Sequence, residues 1–321
     1  MSMPWLTKNL GEVCNIIGGG TPSKSREDFY SGSIPWATVR DMKADLITST
    51  ECRITSEAVK GSSTNVIPGG NVIIATRVGL GKVCMIAQET AINQDLRGII
   101  PLSTNTLNVG FLFWWLKSIA TTIIAEGTGA TVQGVKLPFI KSLQIPIPLL
   151  PEQKRIVAIL DEAFAGIDKA LANAEQNLKN ARELFDSYLE RVFSQRGEGW
   201  VERSVVDITT VLGDGLHGTP KYTEDGEYFF INGNNLNDGI VDIKEKTKRV
   251  SEEEYQKYKK PLNDRTVFIS INGTLGNVAF YNNEKIILGK SACYFNLKDE
   301  ISKAYVKFVI ESPIFQKYCE E

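Results

Sequence analysis

The segment from Pro151 to Ser194 reads PEQKRIVAILDEAFAGIDKALANAEQNLKNARELFDSYLERVFS. Pro151 stands where a helix-opening proline belongs, and Glu152 follows where the helix dipole favours a carboxylate. No further proline occurs until Pro220, and Gly166 is the only glycine before Gly197. Apolar residues recur at Ile156, Leu160, Ala163, Ile167, Ala170, Ala174, Leu178, Ala181, Phe185, Tyr188 and Val192. Those steps of three and four average about 3.6, the period of an α-helix. Forty-odd residues rising about 1.5 Å each predict a rod of roughly 60 Å. A helix of that length with a continuous apolar stripe needs a second surface to cover it. Ile156, Leu160, Ile167, Leu178, Phe185 and Val192 are therefore expected to pack against another polypeptide. Gly197-Glu198-Gly199 then releases the chain.

On either side of this helix lie two diverged copies of one sequence. Trp5-Leu6-Thr7-Lys8-Asn9-Leu10-Gly11-Glu12-Val13 parallels Trp200-Val201-Glu202-Arg203-Ser204-Val205-Val206-Asp207-Ile208. Gly18-Gly19-Gly20-Thr21-Pro22 parallels Gly213 to Pro220, with three residues inserted. Asn71 to Ala75 parallels Thr266 to Ser270, and Leu80-Gly81-Lys82-Val83 parallels Leu275-Gly276-Asn277-Val278. Phe111 to Trp115 parallels Tyr305 to Val309. The offset stays between 194 and 198 throughout. Each copy reads as mixed α/β. Val72–Ala75 and 267–271 are short apolar runs, favouring strands, and 107–124 and 301–317 are helical in pattern, with Pro313 interrupting the second. Leu143-Gln144-Ile145-Pro146-Ile147-Pro148 suits an edge strand or an exit loop. The expected fold class is α/β (α+β): a domain over 1–150, the helix and linker over 151–199, and a second domain over 200–321. The second copy reaches Glu321, which corresponds to about Gly127 of the first. Its exit strand and long helix are expected either to be cut away or to come from another chain.

Composition narrows the function. The chain has 321 residues, 42% hydrophobic and 23% charged, enough apolar material for packed cores. No apolar run approaches the roughly 20 residues of a membrane span, and Met1-Ser2-Met3-Pro4-Trp5 is no secretory signal. Five scattered cysteines without a Cys-x-x-Cys pair fit a reducing cytoplasm and argue against a structural zinc. His217 is the only histidine, so His-rich metal sites are excluded; a Ser-His-Asp triad would have to use it, and its Gly-rich stretch, Leu212 to Gly218, favours a polar loop group instead. Residues 1–150 carry 13 basic against 10 acidic side chains, while the rest is net acidic. A nucleic acid would be met by a local face or with a basic partner.

No catalytic signature emerges. Gly79-Leu80-Gly81-Lys82-Val83 lacks the first glycine and the Ser/Thr of a phosphate loop, and Gly127-Thr128-Gly129 is placed the wrong way round for a dinucleotide fold. Asp41, Asp45 and Asp95 have no spacing suggestive of a magnesium nuclease. Polar loop chemistry suited to reading DNA is present instead. The first copy offers Thr21, Ser23, Lys24, Arg26, Arg40, Arg77, Lys82, Asn93, Gln94 and Arg97. The second offers His217, Thr219, Lys221, Tyr222, Asn232, Asn234, Asn235, Asn272, Asn277 and Lys290. Arginine matches guanine O6/N7, Asn or Gln matches adenine N6/N7, and Lys or Ser/Thr suits phosphates. The scaffold glycines match between copies, while Arg77 is replaced by Asn272 and Lys82 by Asn277. Two readers on one frame, with different specificities, would show this pattern.

The chain resembles a type I restriction–modification specificity subunit (S subunit). The residues that carry the resemblance are Gly127-Thr128-Gly129-Ala130-Thr131-Val132-Gln133-Gly134-Val135 and Ile145-Pro146-Ile147-Pro148-Leu149-Leu150-Pro151-Glu152-Gln153-Lys154-Arg155-Ile156-Val157. The long helix and the second copy from Trp200 complete it. The resemblance implies two target-recognition domains, each reading one half of a bipartite double-stranded DNA site. It implies that the helical region recruits modification (methyltransferase) subunits, which methylate adenine with S-adenosylmethionine, and that restriction (translocase) subunits add ATP- and Mg-dependent cleavage. No cofactor and no catalytic residue are expected in this chain. Self-association through the central helix is a further expectation. The competing reading is a truncated assembly or inhibitory module that binds modification subunits without full target recognition.

Overall fold

In the computed structural model, residues 5–129, 134–195, 197–273 and 275–320 are described. Ala130 to Gln133 of the Gly-Thr-Gly-Ala segment lie outside them. The chain divides into two units, Met1–Leu171 and Ala172–Glu321.

In the first unit, Val72–Ala75 is buried at all four positions. Val, Ile and Ala in sequence can only fill a strand covered on both faces, because alternate side chains point to opposite sides. It is central to a five-stranded sheet ordered Cys14–Gly18, Leu96–Pro101, Val72–Ala75, Val83–Ile86, Leu46–Ile47. Pairing is antiparallel except at Leu46–Ile47, which runs parallel to Val83–Ile86. One face packs under the helix Val109–Ser118 through Phe111, Leu112 and Leu116, with Val72 and Ile74 below them. The other face buries Ile73, Ala75, Ile86 and Ile92. A second sheet, ordered Cys52–Ile54, Ile34–Ala37, Thr90–Ile92, Asn65–Ile67, contains a parallel pair between Ile34–Ala37 and Thr90–Ile92.

The second unit repeats the plan. Thr209–Asp214, Ala292–Leu297, Thr266–Ser270 and Val278–Phe280 form the first sheet in the same order. Arg249–Val250, Tyr228–Ile231 and Ile286–Leu288 form the second, again with its parallel pair. Thr266–Ser270 is buried at all five positions, and Phe268 is completely buried in the core. The repeat therefore extends to strand order and strand sense.

The glycine stretches of the two copies have one physical cause. A Cβ on Gly19 would collide with the carbonyl of Asn93, and one on Gly215 with the carbonyl of Gly289. Next to them Gly20 N donates to Ile92 O (3.0 Å), and Leu216 N donates to Leu288 O (2.7 Å). These glycines let two backbones touch.

The expected helices are broken. The 107–124 segment divides into Val109–Ser118 and Ala120–Ala125 around Ile119, and 301–317 divides into Lys303–Glu311 and Pro313–Glu320. The second break falls at Pro313, whose ring cannot continue the preceding helix. The proline-punctuated segment is a strand, Gln144–Ile147, paired among the described residues only with Leu6–Asn9. A two-stranded ribbon tolerates Pro146 because one side of each strand is an open edge.

The central helix runs Leu150–Ser194. Its start is locked by Gln153, which is fully buried. Gln153 Oε1 accepts from Asn108 N, and Nε2 donates to Thr106 O and Pro148 O, each at 2.8 Å. Farther along, Trp114 Nε1 donates to Asp161 Oδ1 at 2.7 Å, and the Trp114 and Phe164 rings stack at 4.6 Å. Ile156 and Leu160 pack against the core of the first unit. The domain on which the helix starts thus partly covers these two residues, which the sequence placed with the partner-facing stripe. Near the other end Leu189 is buried, Phe185 meets Phe308 and Phe193 meets Tyr305, all within the second unit. Ile167, Leu171, Leu178 and Leu184 stay more than half exposed.

Candidate nucleic-acid interface

The parallel pair of each second sheet ends in a tight 3-10 turn. In the first domain Thr38 N donates to Asp41 Oδ2 (2.7 Å), and Asp41 N donates back to Thr38 O (3.1 Å). In the second domain Asn232 N donates to Asn235 Oδ1 (3.0 Å), and Asn235 N donates back to Asn232 O (2.9 Å). Each closing side chain also grips the loop that follows. Asp41 Oδ1 accepts from Glu51 N (2.8 Å), and Asn235 Nδ2 donates to Asp242 O (2.9 Å). The turns correspond at an offset of 194 residues. A Thr-x-x-Asp spacing is a capping signature, and it could have been read from the sequence.

In the first domain this turn borders a groove of about 700 Å³. Its wall brings together Thr21, Lys24, Arg40, Asn93 and Gln94, with Tyr30 and Trp36 among the apolar part of the lining. Trp36 Nε1 donates to Gly20 O at 3.2 Å, and Tyr30 Oη donates to Pro22 O at 2.8 Å, so both rings are fixed. Asp95 organises the far wall. Its Oδ2 accepts from Asn93 Nδ2 (3.1 Å) and Gln94 Nε2 (3.4 Å), and its Oδ1 lies 3.6 Å from Arg77 Nη1. Thr21 Oγ1 donates to Gln94 Oε1. The Gln94 amide, exposed at the rim, is thus held from both ends.

The remaining candidates divide by what their side chains already do. Asn93 is buried, and its Oδ1 accepts from Asp95 N, so it shapes the turn. Asn235 is buried in its own turn, and Asn232 Oδ1 accepts from Ser291 Oγ. These three residues, expected from the sequence to meet bases, are engaged in holding the loops in place. Arg26 donates from Nε and Nη2 to the two oxygens of Asp28, at 2.8 and 2.6 Å, and lies over the Phe29 ring. The hydrogen bond from Arg26 holds the Asp28 carboxyl below its ordinary range. Ser23 is exposed and bonded to Ser25. Lys82 faces a separate small cavity with Lys117 and Asp45, and its Nζ donates to Met42 O (3.4 Å). Arg97 is half-buried on its strand, beside Gly18.

In the second domain His217 is exposed, 3.6 Å from Asp214. Thr219, Lys221, Tyr222, Asn234, Asn272 and Lys290 are exposed, and Asn277 is half-buried. The Lys221 backbone N–H donates to the buried Glu254 carboxylate at 3.0 Å, which anchors the loop ahead of Tyr222. Tyr222 rests near Phe230, ring centroids 5.9 Å apart. Sequence reading weighed Asp41 and Asp95 only as metal ligands and Gln153 only as part of a motif, and gave none of them a positioning role. Their role is to aim other groups, and only their partners reveal it.

A family described as the type I restriction modification DNA specificity domain matches residues 3–179 and 197–318. The chain belongs to this family. The two matched stretches take in the two α/β copies. The chain is similar to the specificity subunit of the type I restriction enzyme EcoR124I/EcoR124II from Escherichia coli, with 34% identity over 58% of this chain and 48% of that protein. It is also similar to the MjaIX specificity subunit from Methanocaldococcus jannaschii, 25% identical over 74% of this chain and 59% of that one. The chain thus spans about half the length of the curated relatives it matches. A solved chain from work on complex assembly and conformational transition of the type I R-M system shares the fold, at TM-score 0.71 and 16% identity over 99% of this chain and 82% of its own. No helix among the described residues is long and apolar enough to cross a membrane.

Proposed function

We propose that this chain is the DNA-reading specificity subunit of a type I restriction–modification complex. Each α/β domain reads one half of a bipartite double-stranded target. The observation that carries this reading is one backbone frame, built twice, with different polar side chains at equivalent exposed places. Arg77 answers to Asn272 and Gln94 to Lys290. The frame fixes position, and the exchanged side chains supply different donor and acceptor patterns to base edges. The relatives' description as specificity subunits supports the same reading.

The chain performs no chemistry in this proposal. Modification subunits bring S-adenosylmethionine and transfer the methyl group, and restriction subunits bring ATP and Mg. The exposed stretch of the central helix, Ile167, Leu171, Leu178 and Leu184, docks the modification subunits or, in their absence, a second copy. Apolar side chains of this size favour burial by about 1.5–3 kcal/mol each. Methylome sequencing of cells with and without the intact gene tests the function. A bipartite motif whose adenine methylation disappears with the gene is the expected result. An unchanged methylome, with the modification subunits present, would sink it.

A further inference from the structure

The 3-10 turns at Thr38–Asp41 and Asn232–Asn235 share one more feature. Each presents a single exposed polar residue from its third position: Arg40 in the first domain, Asn234 in the second. Their closing residues point inward and are spent on the loop. Among the described residues the Arg40 guanidinium has no ion pair and no hydrogen-bond partner. Its backbone N–H donates to Thr38 Oγ1 at 3.2 Å, so the Cα is fixed while the side chain is free. Among the described residues only the carbonyl of Asn234 is engaged, by Lys244 Nζ at 3.3 Å, and its side-chain amide has no partner. The scaffold is the same in both domains and the presented group differs in kind.

We infer that Arg40 and Asn234 are corresponding base readers. Arg40 specifies a G·C pair in one half of the target, and Asn234 specifies an A·T pair in the other. The inference rests on the DNA-reading function proposed above and names two of its determinants. A guanidinium presents two parallel donors that match guanine O6 and N7, and a carboxamide presents one donor and one acceptor that match adenine N7 and N6. A rigid turn suits this work, because a reader anchored at its backbone loses little freedom on binding. Arg40 also borders the groove that holds Lys24 and Gln94, so phosphate and base contacts are within one surface.

The test exposes the chain of 321 residues to a pool of randomised DNA duplexes and sequences the bound fraction. Four variants are compared with the parent: Arg40→Ala, Arg40→Asn, Asn234→Ala and Asn234→Arg. Each is first matched to the parent by thermal melting, and two variants per position separate a reading defect from a folding defect. Arg40→Ala should weaken the preference for G·C at one position by roughly ten- to a hundred-fold and leave the other half of the motif intact. Arg40→Asn should move that position toward A·T, and Asn234→Arg should move the corresponding position of the other half toward G·C. An unaltered motif in all four variants would overturn the inference. A loss of binding to every sequence alike would also overturn it, because that is the behaviour of a phosphate contact. If the parent itself enriched no motif, the proposed DNA-reading function would fall, and this inference with it.

Discussion

Asp95 Oδ1 lies 3.6 Å from Arg77 Nη1, across the turn that also carries Gln94. The same carboxylate accepts from Asn93 and Gln94 through its other oxygen. One half-buried acid therefore aims three neighbouring donors. In the second domain the equivalent places hold Asn272 and Ser291, so neither charge of the ion pair is kept there. A side chain oriented in this way reaches DNA with less rotamer freedom to lose.

Arg77→Ala is expected to weaken binding to the target by about 1–3 kcal/mol, and binding to scrambled duplex by much less. Asp95→Ala should reproduce part of that loss by letting Arg77 and Gln94 drift. Fluorescence anisotropy on both duplexes measures the two effects. Equal losses on target and scrambled DNA would reassign Arg77 to the phosphates.

Exchanging residues 1–150 for the same region of a homologue should change one half of the recognised motif and leave the other. The methylome of the chimaera reads this directly. A change in both halves, or in neither, would contradict separate reading by the two domains.

The double substitution Ile167→Asp, Leu178→Asp should abolish recruitment of modification subunits and any self-association, with little effect on the melting of either domain. Both side chains are more than half exposed within this chain, so neither domain depends on them. Co-purification and light scattering provide the measurement. Retention of partners by a monomeric double mutant would remove the docking role of the stripe.

Gln153→Ala should destabilise the first domain by about 2–4 kcal/mol. It removes three 2.8 Å hydrogen bonds and leaves Asn108 N, Thr106 O and Pro148 O without this partner beside a buried side chain. Urea unfolding reports the change as a lower midpoint. An unchanged midpoint would show that the helix start is held by other contacts.

Burial pushes the Cys14 thiol up to about 12 and the Cys84 thiol up to about 11, with Asp45 adding to the second. In the unfolded chain both would ionise near 9. Below that pH both states hold the proton and these thiols contribute no pH dependence. Between about 9 and 12 the unfolded chain gives up protons that the folded chain keeps, so stability falls as pH rises. The exposed Cys52 should react with a thiol reagent at pH 8, whereas Cys14 and Cys84 should stay unmodified until the protein unfolds. Equal labelling of all three in the native protein would contradict their burial.

Periodicity alone determined the central helix, because a 3.6-residue apolar rhythm without proline has one regular solution. The repeat likewise determined that two similar α/β domains flank it. Short apolar runs such as Val72–Ala75 announced the buried strands, and Pro146 announced an edge. The sequence also told which residue types stood at diverged loop positions. It could not tell how each side chain is spent. Asn93, Asn234 and Asn235 look alike as letters, yet Asn93 and Asn235 close turns while Asn234 faces outward. That difference depends on partners brought close by sheet pairing, such as Asp242 for Asn235, and local pattern does not encode them. The fate of the helix stripe was settled in the same way. Ile156 and Leu160 share the rhythm of Ile167 and Leu178, but only the first pair lies where the helix leaves a domain whose core is there to receive it. Period follows from the chain itself, whereas cover follows from what the fold places opposite.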